Sequence, residues 1–210
     1  MSTSLPEPTK TPRFERLLWI IAFLSLGFCA WVWVDSHYYQ ASLGRRLDAM
    51  LQSRSGAPGS RLKYGIATRT RSEARHGGLV GRVEIPRLKV TAMVAEGITP
   101  GKLRKAVGHV PGTAFPGESG NVAIAGHRDS FFRGLKDVRK GDRVQLYTPD
   151  GSFEYRVDSI RLVKPTETQV LAASSMPTLT LITCYPFNYV GAAPDRFIVR
   201  ARQVSEGRSR

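Results

Sequence analysis

From Leu17 to Val34 the chain runs for 18 residues without a charged side chain or a proline. As a helix rising 1.5 Å per residue, this run would reach about 27 Å, close to the hydrocarbon thickness of a bilayer. Trp19, Trp31 and Trp33 stand near its ends, with Tyr38 and Tyr39 just beyond, as in an interfacial aromatic belt. Lys10, Arg13 and Arg16 precede the run and Asp35 follows it. That asymmetry predicts a cytoplasmic N-terminus and an extracytoplasmic C-terminal part. A cleaved signal peptide requires small residues at the cut, which Val32-Trp33-Val34-Asp35 does not offer. A buried core helix is disfavoured because the run has no polar face. The expectation is an uncleaved, single-pass anchor in the cell membrane.

The anchor orders the rest of the chain. Residues 1–16 read as a cytoplasmic tail, 17–34 as the anchor, 35–78 as a stalk and flexible basic tether, 79–203 as a folded domain, and 204–210 as a polar tail. Within the stalk, Leu43, Leu47, Met50 and Leu51 recur at helical spacing. Ser53 to Gly78 is rich in Ser, Gly and Arg without apolar periodicity, and reads as a tether. Proximity to anionic headgroups and simple solvation both fit its basic side chains. Strand patterning begins only at Leu79, so residues 1–78 are expected to be dispensable for folding and chemistry. The 31 basic against 17 acidic residues give +14. Such a balance suits nucleic acid or an anionic membrane surface, and an extracytoplasmic domain excludes the first.

Short apolar runs separated by Gly- and Pro-rich turns follow. Val80 to Ile85, Val90 to Val94, Val122 to Gly126, Arg143 to Thr148, Ser152 to Val163, Thr178 to Cys184 and Arg196 to Arg202 read as strands. Pro149-Asp150-Gly151 is a hairpin signal. Pro100 to Ala106, Ser130 to Leu135 and Gln169 to Ala173 suggest short helical pieces, and Gly108 to Gly120 reads as a loop. Many short strands with close turns predict a mainly β domain, closed or nearly closed into a barrel.

The chemistry-bearing residues stand at strand ends. Cys29 lies in the apolar run and Cys184 in the outer domain, so an intramolecular disulfide is geometrically implausible. Cys184 is therefore a lone thiol in an oxidising compartment, which favours a catalytic role over the commoner buried apolar cysteine. Arg196 opens the next strand. Antiparallel pairing through the loop Tyr185 to Asp195 brings Cys184 and Arg196 to one sheet edge. His127 ends the Val122 to Gly126 run. A thiolate nucleophile, an imidazole proton carrier and a guanidinium facing a developing oxyanion make a set for acyl transfer. His37 and His76 fall at the membrane edge and in the tether, away from this set. Arg128, Arg200 and Arg202 read as structural, and Asp129 and Asp195 as turn or solvent-facing residues. No His/Cys cluster has zinc spacing, and the scattered glutamates argue no calcium site. Neither metal nor cofactor is expected.

Ala125-Gly126-His127-Arg128, Thr180-Leu181-Ile182-Thr183-Cys184 and Asp195-Arg196-Phe197 resemble the active-site segments of the sortases, membrane-anchored cysteine transpeptidases. Tyr185-Pro186-Phe187-Asn188-Tyr189-Val190-Gly191 is most similar to the class D branch, and the resemblance covers roughly Val80 to Ala201. It implies a closed eight-stranded β-barrel with a substrate groove. Cys184, His127 and Arg196 would then be catalytic. His109, in a loop that also resembles a sortase segment, and Thr183 would be substrate-binding, with a structural loop hydrogen bond an equal reading for His109. The implied reaction cleaves an L-P-x-T-G-like sorting signal on a surface protein through a thioacyl-enzyme. The acyl group then passes to an amine on a cell-wall precursor or pilin. Two other readings stay open: a cysteine peptidase or amidase hydrolysing wall peptides, and an idle tethered binding module.

Overall fold

The structure, a computed structural model, describes residues 12–55 and 78–204. The start of the expected cytoplasmic tail, the tether 56–77 and the last residues of the polar tail lie outside the described residues. Helix α1, Pro12–Ser55, carries the apolar run and the stalk as one uninterrupted element of 44 residues. Side chains from Arg13 to Val34 are all exposed, as lipid-facing positions would be.

Further along α1 the situation reverses. Tyr39, Leu43, Leu47 and Leu51 recur every fourth residue and so share one face. Leu43 and Leu47 are buried against Met93, with Leu79 and Tyr147 completing the cluster. Polar contacts border this seam. The Met93 amide donates to Gln40 Oε1 at 2.9 Å, Lys105 pairs with Asp35 at 2.8 Å, and Arg82 with Asp48 at 3.3 Å. The stalk is therefore docked on the folded domain, a contact that the reading of residues 35–78 as stalk and flexible tether does not include. Its apolar stripe has a partner that no local pattern announces.

Eight strands close into a barrel: β1 Leu79–Ile85, β2 Val90–Glu96, β3 Val107–His109, β4 Asn121–Ala125, β5 Arg143–Thr148, β6 Gly151–Val163, β7 Thr178–Tyr185 and β8 Asp195–Gln203. Their order around the barrel is β1-β2-β3-β4-β7-β8-β6-β5. A one-turn helix α2, Pro100–Leu103, lies between β2 and β3. The segment β3 falls where a loop is expected. It is only three residues long and contains Gly108, too short for a period-2 signal to register.

Alternation along each strand fills the interior. Val83, Ile85, Val94, Val107, Ile124, Leu146, Leu179, Leu181 and Val199 point inward with Tyr155, and Phe132 and Leu135 join the same core. Burial drives the Tyr155 phenol above its ordinary pKa, since no ion could be solvated there. Two pairs run parallel, β2 with β3 and β4 with β7. Because β4 and β7 are parallel neighbours, both chains leave the barrel at the same rim.

Candidate active site

That shared rim gathers the three candidate residues. In the β7–β8 ladder Cys184 stands directly opposite Arg196, in an antiparallel register unbroken from Thr178 to Tyr185. Paired residues project to the same face, so thiol and guanidinium lie side by side at the ladder's end. On the other flank of β7, Ala125 pairs with Ile182, and the Gly126 amide donates to the Ile182 carbonyl at 3.0 Å. Continuing that register carries His127 level with Cys184. Cys184 is a free, half-buried thiol.

Each of the three has local support. Arg196 Nη1 donates to the carbonyls of Ala193 and Asp195 at 3.2 and 3.0 Å, which orients the guanidinium plane. Among the described residues its Nε and Nη2 have no protein acceptor, which leaves these donors uncommitted. The carbonyl of His127 accepts from the Phe132 amide at 3.1 Å, closing the turn behind the imidazole. A Cβ added to Gly126 would come within 2.7 Å of Phe132 and 2.9 Å of Val107, both fully buried. Only glycine lets the chain pass there and still present His127.

The two expected substrate-binding residues fare differently. Thr183 is buried and points inward, where its hydroxyl donates to the Gly126 carbonyl at 2.8 Å. It has no surface on a groove. His109 is likewise fully buried, with Nδ1 against Glu96 Oε2 at 2.6 Å and Nε2 against the Ala114 carbonyl at 2.9 Å. Both its nitrogens are engaged in fixing the turn after β3, so it too lines no groove. Thr183 alternates in β7 with the outward Cys184 and so shares the inward face of Leu179 and Leu181. For His109 the signal was missing, because β3 itself was not legible.

Other residues take positioning roles: Arg128 fits its reading as structural, and Asn121 is one that sequence reasoning passed over. Arg128 Nη2 donates to the carbonyls of Tyr189 and Gly191 at 2.6 and 3.0 Å, and its guanidinium lies 5.8 Å from the Tyr189 ring. The residue after His127 thus clamps the loop between Cys184 and Arg196. Asn121 anchors the 164–177 loop, donating to the carbonyls of Val170 and Ala172 while accepting from Thr180 Oγ1 at 2.7 Å. Between that loop and the barrel lies a cavity of about 170 Å³, lined by Val163, Gln169, Val170, Thr180, Ile198 and Arg200. Ile198 and Arg200 share the Arg196 face of β8, so the cavity continues the site along the ladder. Tyr185, Phe187 and Phe197 pack edge and face with centroids 5.2 to 6.2 Å apart, Phe187 and Phe197 against the barrel core.

Behind the His127 turn, Arg87 grips Asp142 through Nε and Nη2 and also donates to the Asp137 carbonyl at 2.7 Å. The Arg87 guanidinium, helped by the Arg139 amide at 2.8 Å, holds the Asp142 carboxyl below the usual carboxylate range. Among the described residues no group of three His, Cys, Asp or Glu side chains is arranged to hold a metal ion.

Comparison with known proteins agrees with this geometry. Residues 83–204 match the sortase domain family model. Sortase D of Bacillus subtilis (strain 168) is 35% identical over 130 residues, covering 61% of this chain and 66% of that protein. The solved Clostridium perfringens sortase D5 transpeptidase superposes with a TM-score of 0.65 at 26% identity, covering 81% of this chain and 98% of that one. Streptococcus pneumoniae sortase C, studied for its pilin substrate specificity, superposes with a TM-score of 0.56 at 28% identity over 60% of this chain and 66% of that one. The chain spans between about half and two thirds of the length of the sequence relatives it matches.

Proposed function

The chain belongs to the sortase family, with a class D-like character, and on that footing we propose that it is a membrane-anchored cysteine transpeptidase acting on L-P-x-T-G-like sorting signals. The observation that carries this is the register pairing of Cys184 with Arg196 beside the end of β4. The Cys184 thiolate attacks the scissile carbonyl and forms a carbon–sulfur bond. Arg196 hydrogen-bonds the oxygen as negative charge develops there. The carbon–nitrogen bond then breaks, and His127 supplies the proton that the leaving amine takes. An incoming amine reverses the sequence: it gives its proton to His127, attacks the thioester and expels the Cys184 thiolate.

The acyl half of the substrate must stay bound while the amine half is exchanged. The cavity under the 164–177 loop is the enclosed part of the site, and it suits the acyl half. The exposed apolar part of α1 supports an anchor, and Lys10, Arg13 and Arg16 support an N-in orientation with the barrel outside. Surface proteins bearing a C-terminal sorting signal are the proposed acyl donors. A cell-wall precursor or a pilin amine is the proposed acceptor, the second by likeness to the pneumococcal enzyme.

The test is to incubate the protein with a sorting-signal peptide, trap the acyl-enzyme and locate it by mass spectrometry, with and without an added amine. A thioester on Cys184 and an amine-dependent transfer product are expected. Hydrolysis unaffected by amine would favour a cysteine peptidase or amidase, and absence of any adduct would favour a binding module.

A further inference from the structure

The barrel rim that carries Cys184, His127 and Arg196 is also the rim nearest the apolar run of α1. Strand directions show this. β4 and β7 end at that rim, β8 begins there, β1 ends there at Ile85 and β2 restarts at Val90. On α1, Asp35 and Gln40 contact this end of the barrel, whereas Leu51 packs near Leu79 at the opposite rim. A chain anchored through Leu17 to Val34 therefore turns its candidate catalytic rim toward the bilayer.

Between α1 and this rim lies a cleft of about 440 Å³. Trp33, Ser36, His37 and Gln40 form one wall, and Leu88, Lys89, Arg104, Ser130 and Phe131 belong to the other. Ser36 to Gln40 follow the apolar run by roughly 3 to 9 Å of helix, which is the depth of the headgroup layer. Trp33 stacks on His37 with centroids 5.2 Å apart, an amphipathic pair suited to that depth.

The charges there are unbalanced. Asp35 is taken by Lys105, Asp142 by Arg87, and Asp137 is 3.9 Å from Lys136, which leaves the exposed Asp129 against three cations. Lys89 and Arg104 are exposed, and among the described residues neither side chain pairs with a carboxylate. Arg133 adds a further exposed cation beside the cleft.

We propose that this cleft seats the phosphate headgroup of an anionic phospholipid, held by Lys89 and Arg104, so that the bilayer itself fixes the Cys184 rim over its surface. The inference rests on the anchor reading given above. A lipid is favoured over a soluble anion because the α1 wall continues into the apolar run, where acyl chains can lie. Ser130 and Phe131 belong to the turn that follows His127, so the lipid would also brace that turn.

Hydrogen exchange on the full chain in nanodiscs tests this. The discs are phosphatidylcholine alone, phosphatidylcholine with phosphatidylglycerol, and phosphatidylcholine with glycerol phosphate in solution. Slower exchange at residues 89–91 and 130–134 is expected only with phosphatidylglycerol. A basic residue near an anionic surface is worth a factor of about five in occupancy, so Lys89→Ser with Arg104→Ser should require roughly 25-fold more phosphatidylglycerol for the same protection. Protection in β4 and β7 should be unchanged, which shows that the variant is folded. Equal exchange in all three discs, protection that survives the double substitution, or protection by glycerol phosphate alone would each overturn the proposal. Failure of the anchor would appear separately, as failure to enter discs at all. Acylation by a soluble peptide tests the enzyme reading independently.

Discussion

Thr183 and Gly126 are joined across the β7–β4 pair by a buried hydrogen bond of 2.8 Å, hydroxyl to carbonyl. One residue further on each strand stand Cys184 and His127. The strand ends that carry the proposed nucleophile and proton carrier are therefore tied by a contact that touches neither. Thr183→Val keeps the shape and deletes the donor, at a cost of about 1 kcal/mol in stability. Misplacement of reacting groups by an ångström can cost 10²-fold, so acylation should slow by roughly 10- to 100-fold. Thr183→Ser should restore most of the rate. Single-turnover acylation together with thermal unfolding checks this: a rate unchanged in Thr183→Val would show that the strands hold register without it.

Arg196→Lys keeps the charge but loses the planar fork that the Ala193 and Asp195 carbonyls orient. Loss of an oxyanion donor costs on the order of 10²–10³-fold, and turnover should fall by that factor with native circular dichroism retained. Cys184→Ala should abolish the acyl-enzyme. His127→Ala should lower turnover by about 10²–10⁴-fold, as loss of general acid–base catalysis does. Parental acylation by Arg196→Lys would reassign Arg196 to a structural part.

Gly126→Ala places a methyl group within 3 Å of Phe132 and Val107, which are fully buried. Overpacking of this kind costs about 1–3 kcal/mol. Relaxation would move the strand end that presents His127. A variant that still folds, judged by its unfolding transition, should lose turnover more than it loses acylation-competent thiol. Parental stability and parental turnover together would mean that the neighbours yield freely.

Asp142 ties stability to acid. Its carboxyl is held below the usual range by Arg87, so the folded state binds its proton less readily than the unfolded chain does. The stabilisation is present above the ordinary carboxylate pKa of about 3.9 and is lost as pH falls through the lower folded value. Asp142→Asn should cost about 1–3 kcal/mol at neutral pH, the worth of hydrogen bonds to a charged group. The cost should shrink below about pH 4, where the parent loses the same charge. Denaturant unfolding of parent and variant across that range measures it. A difference that stays constant with pH would remove Asp142 from the acid response.

Leu47→Asp should undock α1 without unfolding the barrel, since Leu47 packs on Met93 outside the main core. Oxidation of Met93 by peroxide should then quicken relative to the parent. No change would mean that the polar contacts at Asp35, Gln40 and Asp48 suffice to hold the helix.

What was legible in the sequence was whatever is local and periodic. The Pro149-Asp150-Gly151 turn announced the β5–β6 hairpin, and antiparallel pairing of β7 with β8 was enough to bring Cys184 and Arg196 to one sheet edge; their direct pairing is a matter of register. The barrel's closure depends on β3, three residues around a glycine, and a segment that short carries no period. Docking of Leu43 and Leu47 on Met93 joins residues about fifty positions apart, and a helix stripe does not name its partner. For His109 a structural hydrogen bond was one of two open readings, but its partner was not legible, because Glu96 lies on a strand paired in parallel with its own, with α2 between them.

A sheet closed on itself has no free backbone edge. A peptide cannot join it as an added strand, so its main chain gains no ladder of amide bonds from the barrel. Discrimination must then fall on a handful of side chains and on residues 164–177 and 186–194. Exchanging those two connections between related barrels should move peptide preference with them, while the strands beneath serve any of the resulting specificities.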